Sequence, residues 1–301
     1  MSNIVRVTEH IRQKLTAAGK DAKNRTLQFI KCGNGYLHVD DEGNHWRACR
    51  FVDGDCFDTC DDPQLFYQAA KAFGEFTHQL RDFDASTLFE PIPNFHNTAK
   101  RYEALEAAIE KDVCGRVAEC AEEIAFIRER KDACSFIVNG IENGTFPLCV
   151  THSDTKLNNV ILDTKTGEGL CVIDLDTVMP GSLLYDFGDA VRYGATAAAE
   201  DEEDLTKVFI RTDMFEAYAK GFLEGLDGNI TREELLALPE GARILTLETG
   251  IRFLTDYLEG DVYFRTHRER HNLARARNQL RLVADIEKQY DTLCGIVKKY
   301  L

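Results

Sequence analysis

The sequence is short of positive charge. It carries 36 Lys and Arg against 51 Asp and Glu, a formal net charge of −15 over 301 residues. A nucleic-acid partner needs a basic face that displaces counterions, so that class of partner is excluded. A phosphate-bearing cofactor is not excluded, because Mg²⁺ supplies positive charge locally. The acidic balance otherwise reads as a solubility device. None of the ten cysteines is spaced as C-x-x-C. Cys49, Cys149 and Cys171 sit in the apolar runs WRACRF, FPLCV and GLCVID, where a thiol behaves as a small hydrophobe. Cys56 and Cys60 form a lone C-x-x-x-C without the companion pair a zinc site needs. A signal peptide and an apolar run of membrane-spanning length are also missing, as are internal repeats and low-complexity linkers. The expectation is a cytoplasmic protein with reduced thiols and no membrane partner.

What is present divides into a β-rich opening and a helical remainder. Ile4, Val7, Ile11 and Leu15 recur at helical spacing, and Ala17-Ala18-Gly19 ends that helix. TLQFIKC, GYLHVD and HWRACRFV are short, aromatic and branched, and bounded by turn residues, so they predict a small antiparallel sheet closed by Asp53-Gly54-Asp55. From Pro63 the spacing of Leu65, Phe66, Ala69, Phe73, Phe76 and Leu80 predicts an amphipathic helix. Further helices are predicted over 98–133, 200–226, 231–260 and 270–300, with the acidic run 200–204 as a solvated helix start.

One β-hairpin interrupts the helices. NNVILD and LCVIDLD are strand-like and joined by TKTGEG, which brings Asn159 beside Asp174. Asp154 lies five residues before Asn159, at the same end. Mg²⁺ takes hard oxygen ligands from one or two protein groups plus substrate phosphates. Phosphoryl transfer needs that metal, together with a carboxylate that orients the attacking hydroxyl and accepts its proton. His152-x-Asp154-x-x-x-x-Asn159, followed by a strand ending in Asp174, has that composition. A polar turn whose Asp and Asn cap backbone groups is the bland alternative for any one of these residues. Lys156 reads equally as a cation against the transferred phosphate and as a solvated loop lysine. Asp176 and Asp186 suit support of the surrounding loops, whereas Asp189 reads equally as a cap. Helical spacing puts Arg252, Asp256 and Glu259 on one face, where polar groups could hydrogen-bond the hydroxyls of a small ligand and Tyr257 could stack on its ring; an exposed ion-pair face is the alternative that spacing alone favours.

H-x-D-x-x-x-x-N, then I-D-x-D, then Y-D-x-G-D resembles the aminoglycoside phosphotransferase/choline kinase superfamily. Within it, HSDTKLNNVILD, GLCVIDLDTVMPGSLLYDFGDAVRYGA and FLTDYLEGDVYF look like bacterial N-acetylhexosamine 1-kinases, as do FDAS, PNFHNTAKRYE and DVYFRTHRERHNLARAR. The resemblance spans essentially the whole chain. It implies an α+β, protein-kinase-like two-lobed fold, with a small β-rich N-lobe over 1–54 and a large helical C-lobe over 55–301. It implies ATP and Mg²⁺ as cofactors and the anomeric hydroxyl of an amino sugar as acceptor. Asp154 would be the catalytic base, Asn159 and Asp174 the metal ligands, and His152 the support of the loop. Backbone groups of Arg50, Phe51 and Val52 at the hinge would meet adenine, against the alternative of an ordinary buried strand.

In that family a Gly-rich strand pair and a lysine-bearing strand precede the first helix, which carries an inward glutamate at the position of Glu9. Gly33-Asn34-Gly35 reads as a later hairpin turn and not as their substitute. The sequence reading therefore expects a truncated N-lobe, sugar binding without tight ATP binding, and slow turnover in this 301-residue form. A catalytically silent sugar- or partner-binding paralogue, or another small-alcohol or aminoglycoside kinase, stands as the competing expectation.

Overall fold

The structure is a computed structural model describing residues 1–196 and 198–301. The chain starts with α1 (Ser2–Ala17), which buries Ile4, Val7, Ile11 and Leu15, as their spacing predicts. It ends at Ala18 and Gly19, the latter in the left-handed region at φ 67°. After the single turn α2 (Ala22–Arg25), the expected three-stranded sheet is reduced to β1 (His38–Val39) paired antiparallel with β2 (His45–Trp46). Isolated bridges join Phe29 to Cys49 and Cys32 to Gly35. Strand length is set by what the strand packs against. Here Ile30, Val39 and Trp46 are all exposed, and the pairing stays short.

α3 (Pro63–Leu80) follows the predicted face closely. Asp62 caps it by accepting from the Gln64 amide, Pro63 sits where its missing N–H costs nothing, and Phe66, Phe73, Phe76 and Leu80 are buried. Each such aromatic buried contributes about 1.5–3 kcal/mol. The helix predicted over 98–133 is broken: α4 (Thr98–Lys111) stops at Asp112 in the left-handed region, and α5 (Ala121–Arg128) follows a 3-10 turn. α6 (Phe136–Glu142) leads to β3 (Cys149–Thr151), β4 (Val160–Leu162), β5 (Gly169–Val172) and β6 (Met179–Gly181). The strands pair antiparallel as β3 with β6 and β4 with β5.

α7 (Leu183–Gly194) and α8 (Thr212–Leu226) come next. The acidic run does not open a helix as expected. Glu200 pairs with Arg192, and Asp201 with Arg268 and His271. Asp204 caps a 3-10 turn. Consecutive like charges are satisfied better by separate cations than stacked along one helix turn. α9 (Arg232–Glu259) begins at a capping box between Thr231 and Glu234 and ends at Gly260 with φ 100°. α10 (His271–Lys288) and α11 (Tyr290–Val297) complete the chain.

Two compact units interleave along the sequence. One comprises Met1–Ile92, Leu148–Leu183 and Ala217–Ile230; the other comprises Pro93–Pro147, Leu184–Glu216 and Thr231–Leu301. The boundary expected after residue 54 falls within the first unit. In the first unit α1 packs on α3, and α3 packs on β4 and β5, so the hairpin shares a core with the N-terminal segments. In the second, α4 and α10 flank α9 over a core that includes Leu105, Ile127, Leu247, Leu254 and Leu273. α9 is buried nearly all round, as a central helix must be.

All ten cysteines are free thiols. Cys149 and Cys171 are buried as their apolar runs predict, and burial pushes Cys171 up to about 12. Cys49 is exposed instead, because its segment makes only the single bridge to Phe29.

Candidate active site

The β4–β5 hairpin pairs Val160 with Val172 and Ile161 with Cys171, and a bulge precedes Leu162. One step beyond the strands, the Ile173 amide donates to the Asn159 carbonyl at 2.9 Å. The hairpin thus places Asn159 and Asp174 at one end, as the turn spacing predicts. Leaving β3, the loop carrying His152, Asp154 and Lys156 comes to the same end. The Asn159 side-chain amide donates to the Asp154 carbonyl at 2.8 Å and to its carboxylate at 3.2 Å. Its nitrogen is taken up by Asp154, so the group it presents to a metal is the amide oxygen.

His152 organises this end. It is fully buried, edge-on to Phe73 and Phe76. Its Nδ1 accepts the Asp154 amide at 3.2 Å, so the proton of the neutral ring lies on Nε2, which donates to the Ile173 carbonyl at 2.8 Å. One ring thereby ties the loop bearing Asp154 to the strand end bearing Asp174. Ser153 takes φ 66°, and Thr177 Oγ1 donates to the His152 carbonyl at 2.7 Å. Lys156 Nζ lies 3.0 Å from the Asp154 carboxylate, so in this structure its partner is the carboxylate itself.

Asp174 is exposed and left-handed, with φ 56° and ψ 57°, immediately before the 3-10 turn Leu175–Thr177. Asp176, on that turn, receives two hydrogen bonds from Arg47, at 2.5 and 2.6 Å, which hold its carboxyl below the usual range. The donor set suits Mg²⁺. One exposed carboxylate and one amide oxygen, both hard, stand at the same hairpin end and leave further positions for phosphates and water. Among the described residues there is no group of three His, Cys, Asp or Glu that would form an all-protein metal cage.

In the segment expected to form the hinge, backbone pairing runs to Arg50, whose amide donates to the Gln28 carbonyl, and resumes at Asp55, which exchanges both hydrogen bonds with Leu162. Between them Phe51 is 81% exposed, whereas Val52 is buried against Ile161 and Cys171.

The second unit holds the residues expected to meet a sugar, and two of them are corrected. Tyr257 is buried, its hydroxyl donates to Glu119 at 2.6 Å, and the Arg116 guanidinium covers its ring at 4.4 Å. It has no free face for stacking. Asp256 is also buried; its carboxylate accepts from the amides of Val262, Tyr263 and Phe264 and from the Asn272 side chain. It shapes the loop after α9. Glu259 is exposed and Arg252 is half-buried, its guanidinium over the rings of Phe95, Tyr263 and Phe264 at 5.0, 6.0 and 5.4 Å. Tyr263 is 65% exposed. Helical spacing did not point to this aromatic surround, because its members come from loops outside α9. Nearby in the same unit, Glu248 is fully buried and accepts from His96 at 2.8 Å and Thr98 at 2.6 Å. Asp186 is buried in the first turn of α7, and Asp189 pairs with Arg192 at 2.8 Å.

Solved structures share this fold. An aminoglycoside phosphotransferase from Alicyclobacillus acidocaldarius superposes with a TM-score of 0.57 at 12% identity, over 95% of this chain and 84% of that one. A microcompartment-associated aminopropanol kinase gives 0.56 at 15% identity, over 95% and 82%. A spectinomycin phosphotransferase in complex with ADP and spectinomycin gives 0.53 at 12% identity, again over 95% and 82%. The architecture is thus the α+β, kinase-like fold, with a small sheet lobe and a large helical lobe. The profile of the phosphotransferase enzyme family matches residues 18–220, more than half of the sequence, and the chain belongs to that family.

Proposed function

We propose that this phosphotransferase transfers the γ-phosphoryl group of ATP to the anomeric hydroxyl of an N-acetylhexosamine. The observation that carries the phosphoryl-transfer part is the convergence of Asp154, Asn159 and Asp174 at one hairpin end, locked by His152. The sugar part rests on the sequence resemblance and on the polar and aromatic surround of Arg252. In this reading Asp154 accepts the proton of the acceptor hydroxyl as its oxygen bonds to the γ-phosphorus and the bond to the ADP oxygen breaks. Asn159 and Asp174 would hold Mg²⁺, which when bound would supply positive charge against the phosphates. Lys156 either orients Asp154 or moves to the transferred phosphate. Backbone groups of Arg50 to Val52 meet adenine, and Arg252 and Glu259 meet the sugar.

The test is a coupled ADP-release assay across N-acetylglucosamine, N-acetylgalactosamine, aminoglycosides and amino alcohols, with ³¹P NMR of the product. An anomeric phosphate from the N-acetylhexosamines supports the proposal. Turnover confined to an amino alcohol or an aminoglycoside replaces the acceptor, a result for which the aminopropanol kinase and spectinomycin phosphotransferase folds give precedent. Sugar binding without any ADP release makes the chain a silent binding protein.

A further inference from the structure

Asp174 and Asp176 lie on one turn, both exposed, and either offers the hard oxygens that Mg²⁺ prefers. The I-D-x-D resemblance assigns the metal to Asp174 without showing what keeps Asp176 from it. Arg47 distinguishes them. Its two terminal nitrogens donate in parallel to the two oxygens of Asp176, at 2.5 and 2.6 Å, so both oxygens are occupied in the plane of the fork. The grip is built into the fold from a distant part of the sequence. The Arg47 segment is fixed by Ile30 N–H to Ala48 C=O and Arg50 N–H to Gln28 C=O, and the guanidinium lies 5.9 Å from the Phe29 ring centroid. The far end of the same turn is held by the Thr177 hydroxyl on the His152 carbonyl. Asp174 lies between the Ile173 carbonyl, which accepts from His152 Nε2, and these two anchors, and it adopts a left-handed conformation, which a non-glycine residue holds only when its neighbours enforce it.

We propose that Arg47 is a positioning residue for the metal-binding turn: by gripping Asp176 it keeps that carboxylate out of coordination and leaves Asp174 to meet the metal. This rests on the phosphotransferase reading of Asp174. Arginine is required because a lysine ammonium is a point charge and cannot engage both oxygens in a planar fork. A pair acting through one contact is also non-additive: once Arg47 is removed, neutralising Asp176 has little left to disrupt.

The experiment counts Mn²⁺ bound in the presence of ADP by electron paramagnetic resonance, on the full chain and on Arg47→Met, Arg47→Lys, Asp176→Asn and the Arg47→Met/Asp176→Asn double variant. ADP affinity in EDTA and melting temperature are measured alongside. Loss of a residue that orients a ligand weakens metal affinity about 10–100-fold. That loss is expected for Arg47→Met, with a smaller one for Arg47→Lys, no further loss in the double variant, and unchanged ADP affinity in EDTA. If Arg47→Met does not fold, Arg47→Lys and Asp176→Asn carry the same comparison. Unchanged Mn²⁺ affinity in folded Arg47 variants overturns the inference alone. Additive losses, or weakened ADP binding in EDTA, overturn it by making Arg47 a direct phosphate contact. A parent chain that retains no Mn²⁺ with ADP overturns the phosphotransferase reading and the inference with it.

Discussion

Replacing Asp154 by Asn separates chemistry from structure at this site. The substitution keeps the size of the side chain and the backbone groups that Asn159 and His152 engage at 2.8 and 3.2 Å. What it removes is the negative charge, and with it the 3.0 Å pair to Lys156, whose side chains are 37% and 28% exposed. A pair that open to solvent is worth about 0–1 kcal/mol. At about 2–4 °C per kcal/mol for a domain of 150–250 residues, the melting temperature should fall by no more than a few degrees. A general base, by contrast, contributes about two to four orders of magnitude to kcat, or about 3–5 kcal/mol of barrier. The expected result is a folded protein with nearly unchanged sugar affinity and kcat lowered about 10²–10⁴-fold relative to the parent chain. Calorimetric sugar titration, thermal melting and the coupled ADP assay on both proteins measure the three quantities. A preserved kcat with raised KM would make Asp154 a binding residue. A melting temperature lowered by about 10 °C would make it a structural one.

Asp174→Asn should abolish Mg²⁺-dependent ADP binding, read by titrating Mg²⁺ against bound nucleotide; unchanged turnover at ordinary Mg²⁺ would remove Asp174 from the metal site. Gly221→Ala should destabilise the protein. An added Cβ would lie 2.2 Å from the Tyr67 carbonyl, and about 1–3 kcal/mol of overpacking exceeds the roughly 1 kcal/mol of helix propensity gained; a raised melting temperature would contradict this. The His96–Glu248 pair should make stability depend on pH. Burial opposes the His96 charge, but the Glu248 carboxylate overcomes it and raises His96 above its ordinary 6.5. The contribution is therefore fully present below about 6.5 and is lost as pH rises through the raised value. Melting curves of His96→Gln should lack that alkaline decline, and an identical pH profile in both proteins would refute the coupling.

Much of the fold was legible because it is local. α1 and α3 bury the faces their apolar spacing defines, α9 falls within its predicted range though it is buried nearly all round, and the caps at Asp62 and Thr231 stand where a polar residue precedes a helix. The hairpin was legible for the same reason. A short turn brings its two strand ends together whatever else the chain does, so Asn159 and Asp174 follow from spacing alone. The break after Lys111 was missed although the sequence carries a signal for it: Asp112, Val113, Cys114 and Gly115 are all poor helix formers, and Asp112 and Gly115 both take positive φ. The fate of the acidic run was not legible. Arg192, which takes Glu200, and Lys207, which takes Glu202 and Asp204, are near in sequence, but Arg268 and His271, the cations of Asp201, lie more than sixty residues away, and no local rule selects them.

Along α9, residue spacing stops short of defining the environment of a side chain. Helical periodicity correctly says that Arg252, Asp256 and Glu259 share a side, but it does not say what covers that side. The loop following the helix folds back so that three of its amides close on the Asp256 carboxylate. Arg116, 141 residues from Tyr257 in sequence, closes on the Tyr257 ring and bonds its carbonyl. The same limit applies at the hairpin, where motif and resemblance assign the metal to Asp174 and support to Asp176, but the group that holds Asp176 lies 129 residues away. Motif and turn chemistry identify the groups able to do phosphoryl transfer. Contacts distant in sequence decide which of those groups are left free to do it, and such contacts leave no periodicity behind. Arg252 is half-buried and Asp174 is exposed, whereas Asp256 and Tyr257 are buried among their partners and Asp176, though exposed, is held by Arg47. The availability of each side chain, more than its chemical type, therefore determines which residues merit substitution first.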